Sequence, residues 1–135
     1  MRISTKGRYG LRIMLELAGY YGKNLLTVHA ISNSQDISEK YIEQIISILN
    51  KAKLVKSQRG ANGGYALTRA PEEITVGEIL RATEGGLSVV ACSERPSSCE
   101  RSPTCLSSPV WVEIQRAIES VADNTNLAQL IGNKQ

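Results

Sequence analysis

All three cysteines of this 135-residue chain, Cys92, Cys99 and Cys105, lie within fourteen consecutive residues. The residues between them are mostly Ser, Pro, Glu and Arg, a composition typical of a loop and not of a buried helix or strand. Thiolates on a flexible loop can hold an iron–sulphur cluster, and zinc accepts three cysteines with one further ligand. A redox-active thiol and purely structural cysteines remain alternatives, because the spacing alone does not separate these chemistries.

The elements after this stretch must help to position the thiols. Residues 91–109 are predicted to be a loop, followed by a long helix with Ser108 as its N-cap and Pro109 at its first position. This helix is predicted to end near Asp123, and Thr125 is predicted to cap a short last helix. The long helix carries one apolar stripe, formed by Val110, Trp111, Ile114, Ile118 and Val121.

The N-terminal part of the chain has the pattern of a helix-turn-helix. Helices are predicted over residues 5–21, 28–34 and 38–51, and Asp36 in the last turn tolerates the left-handed backbone. In this motif the later helix enters the major groove of DNA. A three-helix core with no role in DNA binding is the alternative. The third helix has a single apolar stripe, formed by Ile42, Ile45, Ile46 and Leu49.

A β-hairpin is predicted directly after these helices. Two strand-like segments, 54–59 and 65–69, flank a glycine-rich turn that contains Asn62-Gly63, a pair that favours tight hairpins. A hairpin in this position is the wing of a winged helix. Arg59, near its tip, could enter a minor groove, whose narrow stretches attract guanidinium groups.

The fold class is therefore mainly α with a small β-hairpin wing, and the chain divides into three parts. Residues 1–85 form the winged helix-turn-helix domain, with the wing at 54–69 and a fourth helix that begins with a capping box of Thr75 and Glu78. Residues 86–109 form the cysteine-bearing loop, and residues 110–135 contain the long helix and the C-terminal helix.

Positive charge is concentrated in the first half. Residues 1–69 hold eleven Lys or Arg and four acidic residues, whereas the net charge of the whole chain is +3. A basic N-terminal half suits a module that faces a polyanion such as DNA. With no apolar stretch that could span a membrane and no secretory signal, we expect a cytoplasmic protein. A single histidine, and no phosphate-binding glycine loop after a strand, argue against an enzyme.

Several separated motifs resemble those of the IscR/NsrR/CymR group of transcription regulators, over essentially the whole chain. They are Arg2–Gly10, Ser38-x-x-Tyr41-x-Glu43-Gln44, the stretch from Leu54 to Tyr65 and the Cys-x6-Cys-x5-Cys loop. The resemblance implies a winged-helix regulator that dimerises through its long helix. The cysteine loop is similar to that of the cluster-binding members, whereas the cysteine-metabolism repressor branch lacks such a loop.

The expected cofactor is therefore an iron–sulphur cluster held by Cys92, Cys99 and Cys105, of the 2Fe–2S type or alternatively 4Fe–4S. In such regulators the cluster adjusts DNA affinity to iron, cluster or redox supply. The alternative function is a clusterless regulator of the same fold, controlled by a protein partner, such as a cysteine-biosynthesis enzyme, or by thiol oxidation.

The resemblance leaves the fourth cluster ligand open. Members of the IscR type have a His three positions after the last cysteine, where this chain has Ser108. Related members use an acidic residue from the first helix of the partner subunit, where this chain has Arg8. The remaining candidates are Glu94, Glu100, the Ser108 oxygen or an exogenous small molecule. The one histidine, His29, is expected to be a surface or packing residue.

The expected DNA contacts come from the third helix, the wing and the N-terminus. Gln and Glu can read adenine and cytosine edges in the major groove, whereas Ser, Tyr and Lys suit phosphates. A dimer would meet major grooves about 34 Å apart, on a near-palindromic operator in double-stranded DNA. The candidate residues are Ser38, Lys40, Tyr41, Glu43, Gln44 and Arg59, with Arg2, Lys6 and Arg8 expected to add phosphate contacts.

Overall fold

A computed structural model describes residues 2–132 of the chain, which form helices and one small β-hairpin. The secondary structure runs in the order α1 (Thr5–Gly19), α2 (Val28–Gln35), α3 (Glu39–Lys51), β1 (Val55–Gln58), β2 (Gly64–Leu67), α4 (Val76–Glu84), α5 (Ala91–Glu94), α6 (Ser108–Asp123) and α7 (Leu127–Gly132). Short 3-10 helices lie at Pro71–Glu73, Pro96–Ser98 and Ser102–Thr104. The predicted class, mainly α with a hairpin wing, is confirmed. Within residues 2–132 the longest apolar helical runs fall short of what a bilayer crossing requires.

The core lies where α1 and α3 pack against each other, against α4 and against the base of the hairpin. The apolar stripe predicted for α3 is buried, and its four side chains are at most 3% exposed. Complete burial of a large aliphatic side chain is worth about 1.5–3 kcal/mol, so this stripe fixes which face of α3 turns inward. Gly10 lets α1 approach α4, because a Cβ there would stand 3.0 Å from Thr83 Cγ2.

The turn between α2 and α3 is shaped by side chains on both sides. Asp36 adopts the predicted left-handed conformation, with φ 55° and ψ 48°. Ser38 begins α3 as its N-cap, and its Oγ accepts a hydrogen bond from Tyr41 N at 3.2 Å. Arg12 of α1 reaches the turn and donates from Nε to Gln35 Oε1 at 3.0 Å and from Nη2 to the Gln35 carbonyl. The turn is thereby held on α1.

The hairpin is a two-stranded antiparallel sheet in which Val55 faces Leu67 and Gln58 faces Gly64. Its second strand is also bonded to the segment before α2, since Leu26 N donates to Tyr65 O at 3.0 Å and Tyr65 N donates to Leu26 O at 2.8 Å. A Cβ at Gly64 would lie 2.7 Å from Leu26 O. This close backbone approach requires glycine there.

Helix α6 begins differently from the sequence prediction. The N-cap position belongs to Ser107 and not to Ser108, so that prediction is wrong. Ser107 already has helical backbone angles, with φ −88° and ψ −16°, so the helical path starts one residue earlier. The other end of α6 is tied to α4 by Arg81, whose guanidinium contacts Asp123 Oδ1 at 2.6 Å and Oδ2 at 2.9 Å.

Helix α7 returns to the N-terminal core and packs against α1. Leu127 is completely buried, and its N–H donates to Ile74 O at 3.0 Å. Thr125 is not the cap of this helix, contrary to expectation, because its hydroxyl donates to Val121 O at 2.7 Å at the end of α6. Asn126 and Gln129 instead form the reciprocal side-chain and backbone pair that starts α7.

Candidate nucleic-acid interface and cysteine segment

The outer face of α3 is the surface on which most of the predicted DNA contacts lie. Lys40, Glu43 and Gln44 are exposed there, opposite the buried stripe. Ser38 is exposed at the start of the helix, and its oxygen is engaged as the cap while its hydroxyl hydrogen remains available to a phosphate. The structure thus places the side chains that were predicted to read bases and bind phosphates at the N-terminal end of one helix.

Tyr41 differs from these residues because its ring is half-buried and packs on α1. The Tyr41 and Tyr9 rings meet edge to face, with centroids 5.7 Å apart and an interplanar angle of 70°. The Arg12 guanidinium lies 5.1 Å from the Tyr9 ring centroid. Arg12 therefore contacts both this aromatic pair and the Gln35 turn, and so positions α3 on α1. Nothing in the sequence predicts this role of Arg12, since no local pattern indicates a contact between residues 23 positions apart.

Basic residues flank the aromatic contact and the hairpin. Lys6 and Arg8 are exposed in the first turns of α1 beside Tyr9, and Arg2 is exposed just before that helix. Arg59 is exposed directly after β1, at the tip of the wing. Arg69 is engaged within the protein, where it contacts Glu78 Oε1 at 2.6 Å.

His29 lies on α2, away from the cysteines in sequence. Its imidazole is 71% exposed, and Nδ1 lies 3.1 Å from Glu39 Oε2 at the start of α3. This contact agrees with a surface residue that helps to hold α2 beside α3.

The cysteine segment is more regular than the predicted loop over 91–109. Cys92 lies inside α5, whereas Cys99 and Cys105 each directly follow a 3-10 helix. Pro96 and Pro103 stand in the first turns of these two helices, where their fixed φ angle suits a helical start. The loop prediction was wrong because single turns of this kind leave no periodic pattern of apolar residues.

The three thiols are free and half-buried. Within residues 2–132 no three His, Cys, Asp or Glu side chains stand together as a metal-binding group, so the thiols would have to converge around a metal centre. Their chemistry fits a metal centre, because Cys thiolates are the ligands that hold iron–sulphur clusters, and three thiols leave one ligand to be supplied by another group. Of the candidate fourth ligands, Glu94 and Glu100 are exposed and Ser108 is half-buried.

Cys105 also has a polar neighbour of its own. Its Sγ lies 3.2 Å from the Ser107 hydroxyl oxygen. The hydrogen bond from this hydroxyl, with backbone hydrogen bonds from Ser107 and Ser108, lowers the pKa of the Cys105 thiol below its ordinary value. Ser107, which is also the N-cap residue of α6, is therefore the polar neighbour of the last cysteine.

Helix α6 exposes an apolar face. Val121 is 71% exposed and Trp111 is 37% exposed, and Val110 and Ile114 lie on the same helix with similar exposure. An apolar cavity of about 550 Å³ adjoins this helix, between Leu11, Leu80, Ile118 and Leu130 among others. Apolar surface of this kind on a helix marks an interaction site.

Comparison with known proteins gives the family. The sequence profile of the Rrf2 family, described as an iron-dependent transcriptional regulator, matches residues 3–133. The chain is 43% identical over 130 residues to the HTH-type transcriptional regulator CymR of Bacillus subtilis, covering 96% of this chain and 89% of that protein. It is 35% identical over 135 residues to the HTH-type transcriptional regulator IscR of Sodalis glossinidius, covering 100% of this chain and 81% of that protein.

Solved structures agree with these relatives. The structure of CymR, the global cysteine regulator of B. subtilis, superposes with a TM-score of 0.82 at 41% identity, covering 100% of this chain and 99% of that one. The oxidized form of Staphylococcus aureus CymR superposes with a TM-score of 0.75 at 38% identity, covering 96% of this chain and 95% of that one. The chain belongs to the Rrf2 family and is a transcription regulator, not an enzyme.

Proposed function

We propose that this member of the Rrf2 family binds a near-palindromic DNA operator as a homodimer, and that a cluster on its three cysteines sets its affinity. The observation that carries the DNA part is the division of α3 into a buried apolar stripe and an exposed polar face beside a hairpin. In winged helices such a face enters the major groove. Ser38, Lys40, Glu43 and Gln44 would act there, and Arg59 in the minor groove.

The basic N-terminus would add phosphate contacts through Arg2, Lys6 and Arg8. Tyr41 would contribute its hydroxyl to a phosphate while its ring stays packed on Tyr9. Phosphate contacts make affinity fall steeply with salt, whereas the contacts of α3 with base edges carry the sequence preference. We expect the protein to act in the cytoplasm.

The homodimer is proposed from the apolar face of α6. Val110, Trp111, Ile114 and Val121 are each 37% exposed or more, which is costly in water and favourable against a second α6. On this proposal residues 110–135 supply the dimer contacts, residues 1–85 read DNA, and residues 86–109 carry the metal centre between them.

The cluster is supported by three free, half-buried thiols in one segment and by the iron-dependent description of the family. When bound, a 2Fe–2S or 4Fe–4S cluster would supply a group that iron shortage or oxidants can remove. Cys92, Cys99 and Cys105 would hold it, with Glu94, Glu100, Ser108 or a small molecule as the fourth ligand. Arg8, with its positive charge, cannot be that ligand.

Anaerobic reconstitution with iron and sulphide tests the cluster directly. We expect visible absorbance and bound iron for the natural sequence, and loss of both in Cys99→Ala. Ser98→Ala, one residue away, should keep both. Operator affinity of the metal-free and reconstituted forms is then compared at one salt concentration. Colourless, iron-free protein after reconstitution refutes the cluster, and the absence of binding to any duplex refutes the DNA-binding proposal.

The second candidate is a clusterless regulator controlled by a protein partner or by thiol oxidation. It is favoured by similarity to CymR, the global cysteine regulator of B. subtilis, and to the CymR of Staphylococcus aureus solved in an oxidized form. This candidate predicts colourless protein whose operator affinity changes after treatment with the thiol oxidant diamide. Replacement of the three cysteines should then abolish the change.

A further inference from the structure

One side-chain contact joins the first cysteine turn to α6. Ser93, the residue after Cys92, places its hydroxyl against the carboxamide of Gln115. The same hydroxyl donates to Val90 O at 2.7 Å, which closes the turn that contains Cys92. A hydroxyl has only one hydrogen, which Ser93 shares between Val90 O and the carboxamide oxygen Oε1 of Gln115.

Gln115 is unusual in its burial. It is 9% exposed on a helix whose other polar side chains mostly face water. The other polar residue buried to this degree within residues 2–132, Thr83, is satisfied inside its own helix by Ile79 O at 3.0 Å. A buried carboxamide without a partner is costly. The Ser93 contact therefore explains why a polar residue is tolerated here, and it fixes α5 on α6.

The other two cysteine turns have no equivalent hydrogen bond to a side chain of α6 among the described residues. Cys99 N donates to Pro96 O at 3.3 Å and Cys105 N donates to Ser102 O at 3.4 Å, and both bonds are local. The Ser107 hydroxyl next to Cys105 precedes α6 and does not join separate elements. Within residues 2–132, Cys92 is the one cysteine whose turn is hydrogen-bonded to a side chain of α6.

We propose that Gln115 is the positioning residue for Cys92, and that Cys99 and Cys105 close on this fixed thiol when the metal centre forms. The proposal rests on the cluster function proposed above, although the anchoring of Cys92 is a property of the metal-free chain. It also makes α6, the proposed dimer helix, the element in direct contact with the first cysteine turn.

The first test uses metal-free protein with a single remaining thiol. In a Cys99→Ala/Cys105→Ala background, Gln115→Leu removes the hydrogen bond at similar side-chain volume and should speed iodoacetamide labelling of Cys92 about threefold to fivefold. In a Cys92→Ala/Cys99→Ala background, the same change should leave the labelling of Cys105 within about twofold of its starting rate. An unchanged Cys92 rate, or equal acceleration of both thiols, overturns the proposal.

Ser93→Ala provides a second route if Gln115→Leu lowers the stability of the fold. It should accelerate the labelling of Cys92 at least as much as Gln115→Leu, because it also removes the bond to Val90 O. Adding Gln115→Leu to Ser93→Ala should give no further increase, because the contact between the two residues is already lost. Additive effects would show that the two residues act separately and would refute the anchoring.

The cluster part is tested by release of iron from the reconstituted, three-cysteine protein to a chelator. Gln115→Leu should accelerate this release, whereas Ser120→Ala, an exposed change further along the same helix, should not. Equal release rates in both variants refute positioning for the metal centre. Faster Cys92 labelling in a protein that never binds iron would refute the cluster function and leave the anchor intact.

Discussion

Replacement of Lys40 by Gln should weaken DNA binding mainly through the salt-dependent part of the affinity. Lys40 is exposed in the first turn of α3, and it takes part in none of the ion pairs found within residues 2–132. Its ammonium group is therefore free to displace a counterion from a phosphate. An ion-paired lysine would first have to leave its partner.

The magnitude follows from the proposed dimer. Each phosphate contact contributes about 0.9 to the slope of log affinity against log salt, and a symmetric dimer loses two contacts, so the slope should fall by about 1.8. Between about 50 and about 200 mM salt, the ratio of natural to variant affinity should therefore shrink about tenfold. Base preference should remain, since a lysine on a phosphate carries no sequence information.

The assay is fluorescence anisotropy on an operator selected from random duplexes with the natural protein, titrated at several salt concentrations. Lys51→Gln is the matched control, because Lys51 lies on the same side of α3 about three turns, or about 16 Å, further along. It should change the slope little. An unchanged slope for Lys40→Gln, or a larger change for Lys51→Gln, would refute the placement of the N-terminal end of α3 in the groove.

Two further predictions concern contacts that support this domain. Asp123→Asn should cost about 0.5 kcal/mol at neutral pH, because the pair with Arg81 is partly exposed. The hydrogen bond from Arg81 lowers the pKa of Asp123, so this stabilisation is present above the ordinary Asp pKa of about 3.9 and is lost as pH falls through the lower pKa of the folded state. Urea unfolding of both proteins at neutral pH and near pH 3 checks this. A difference in unfolding free energy that stays constant with pH would contradict it. Gly7→Ala places a Cβ 2.3 Å from Glu84 Oε1, the atom that accepts a hydrogen bond from Ser4 N. The substitution should therefore add little stability in the natural protein but up to about 1 kcal/mol in a Glu84→Ala background. Thermal unfolding of the four proteins measures this coupling between positions 7 and 84. Equal effects of Gly7→Ala in both backgrounds would disprove it.

Local sequence patterns were enough to predict most of the helices, caps and turns within residues 1–85. The left-handed turn at Asp36 and the capping box of Thr75 with Glu78 each depend on residues close together in sequence, and both are confirmed. The third helix was predicted to begin at Ser38, which is its N-cap residue in the structure. The buried stripe of α3 was visible because its period matches the helix.

The start of helix α6 and the short helices of the cysteine segment were less predictable. Two adjacent serines precede Pro109, and either could cap α6, so only the backbone angles of Ser107 decide between them. The short helical turns around Cys99 and Cys105 need a few local hydrogen bonds and leave no apolar period to recognise.

The sequence by itself determined the order of the helices, the hairpin after α3 and the presence of three thiols in one segment, because each is encoded within a few neighbouring residues. Tertiary structure alone decided that Arg12 holds the turn at Gln35, that Leu127 of α7 completes the N-terminal core, and that Gln115 meets the cysteine segment. These contacts join residues far apart in the chain. Their partners become neighbours only after the apolar faces have packed, and no local period or spacing records which polar side chain that packing will bring into reach.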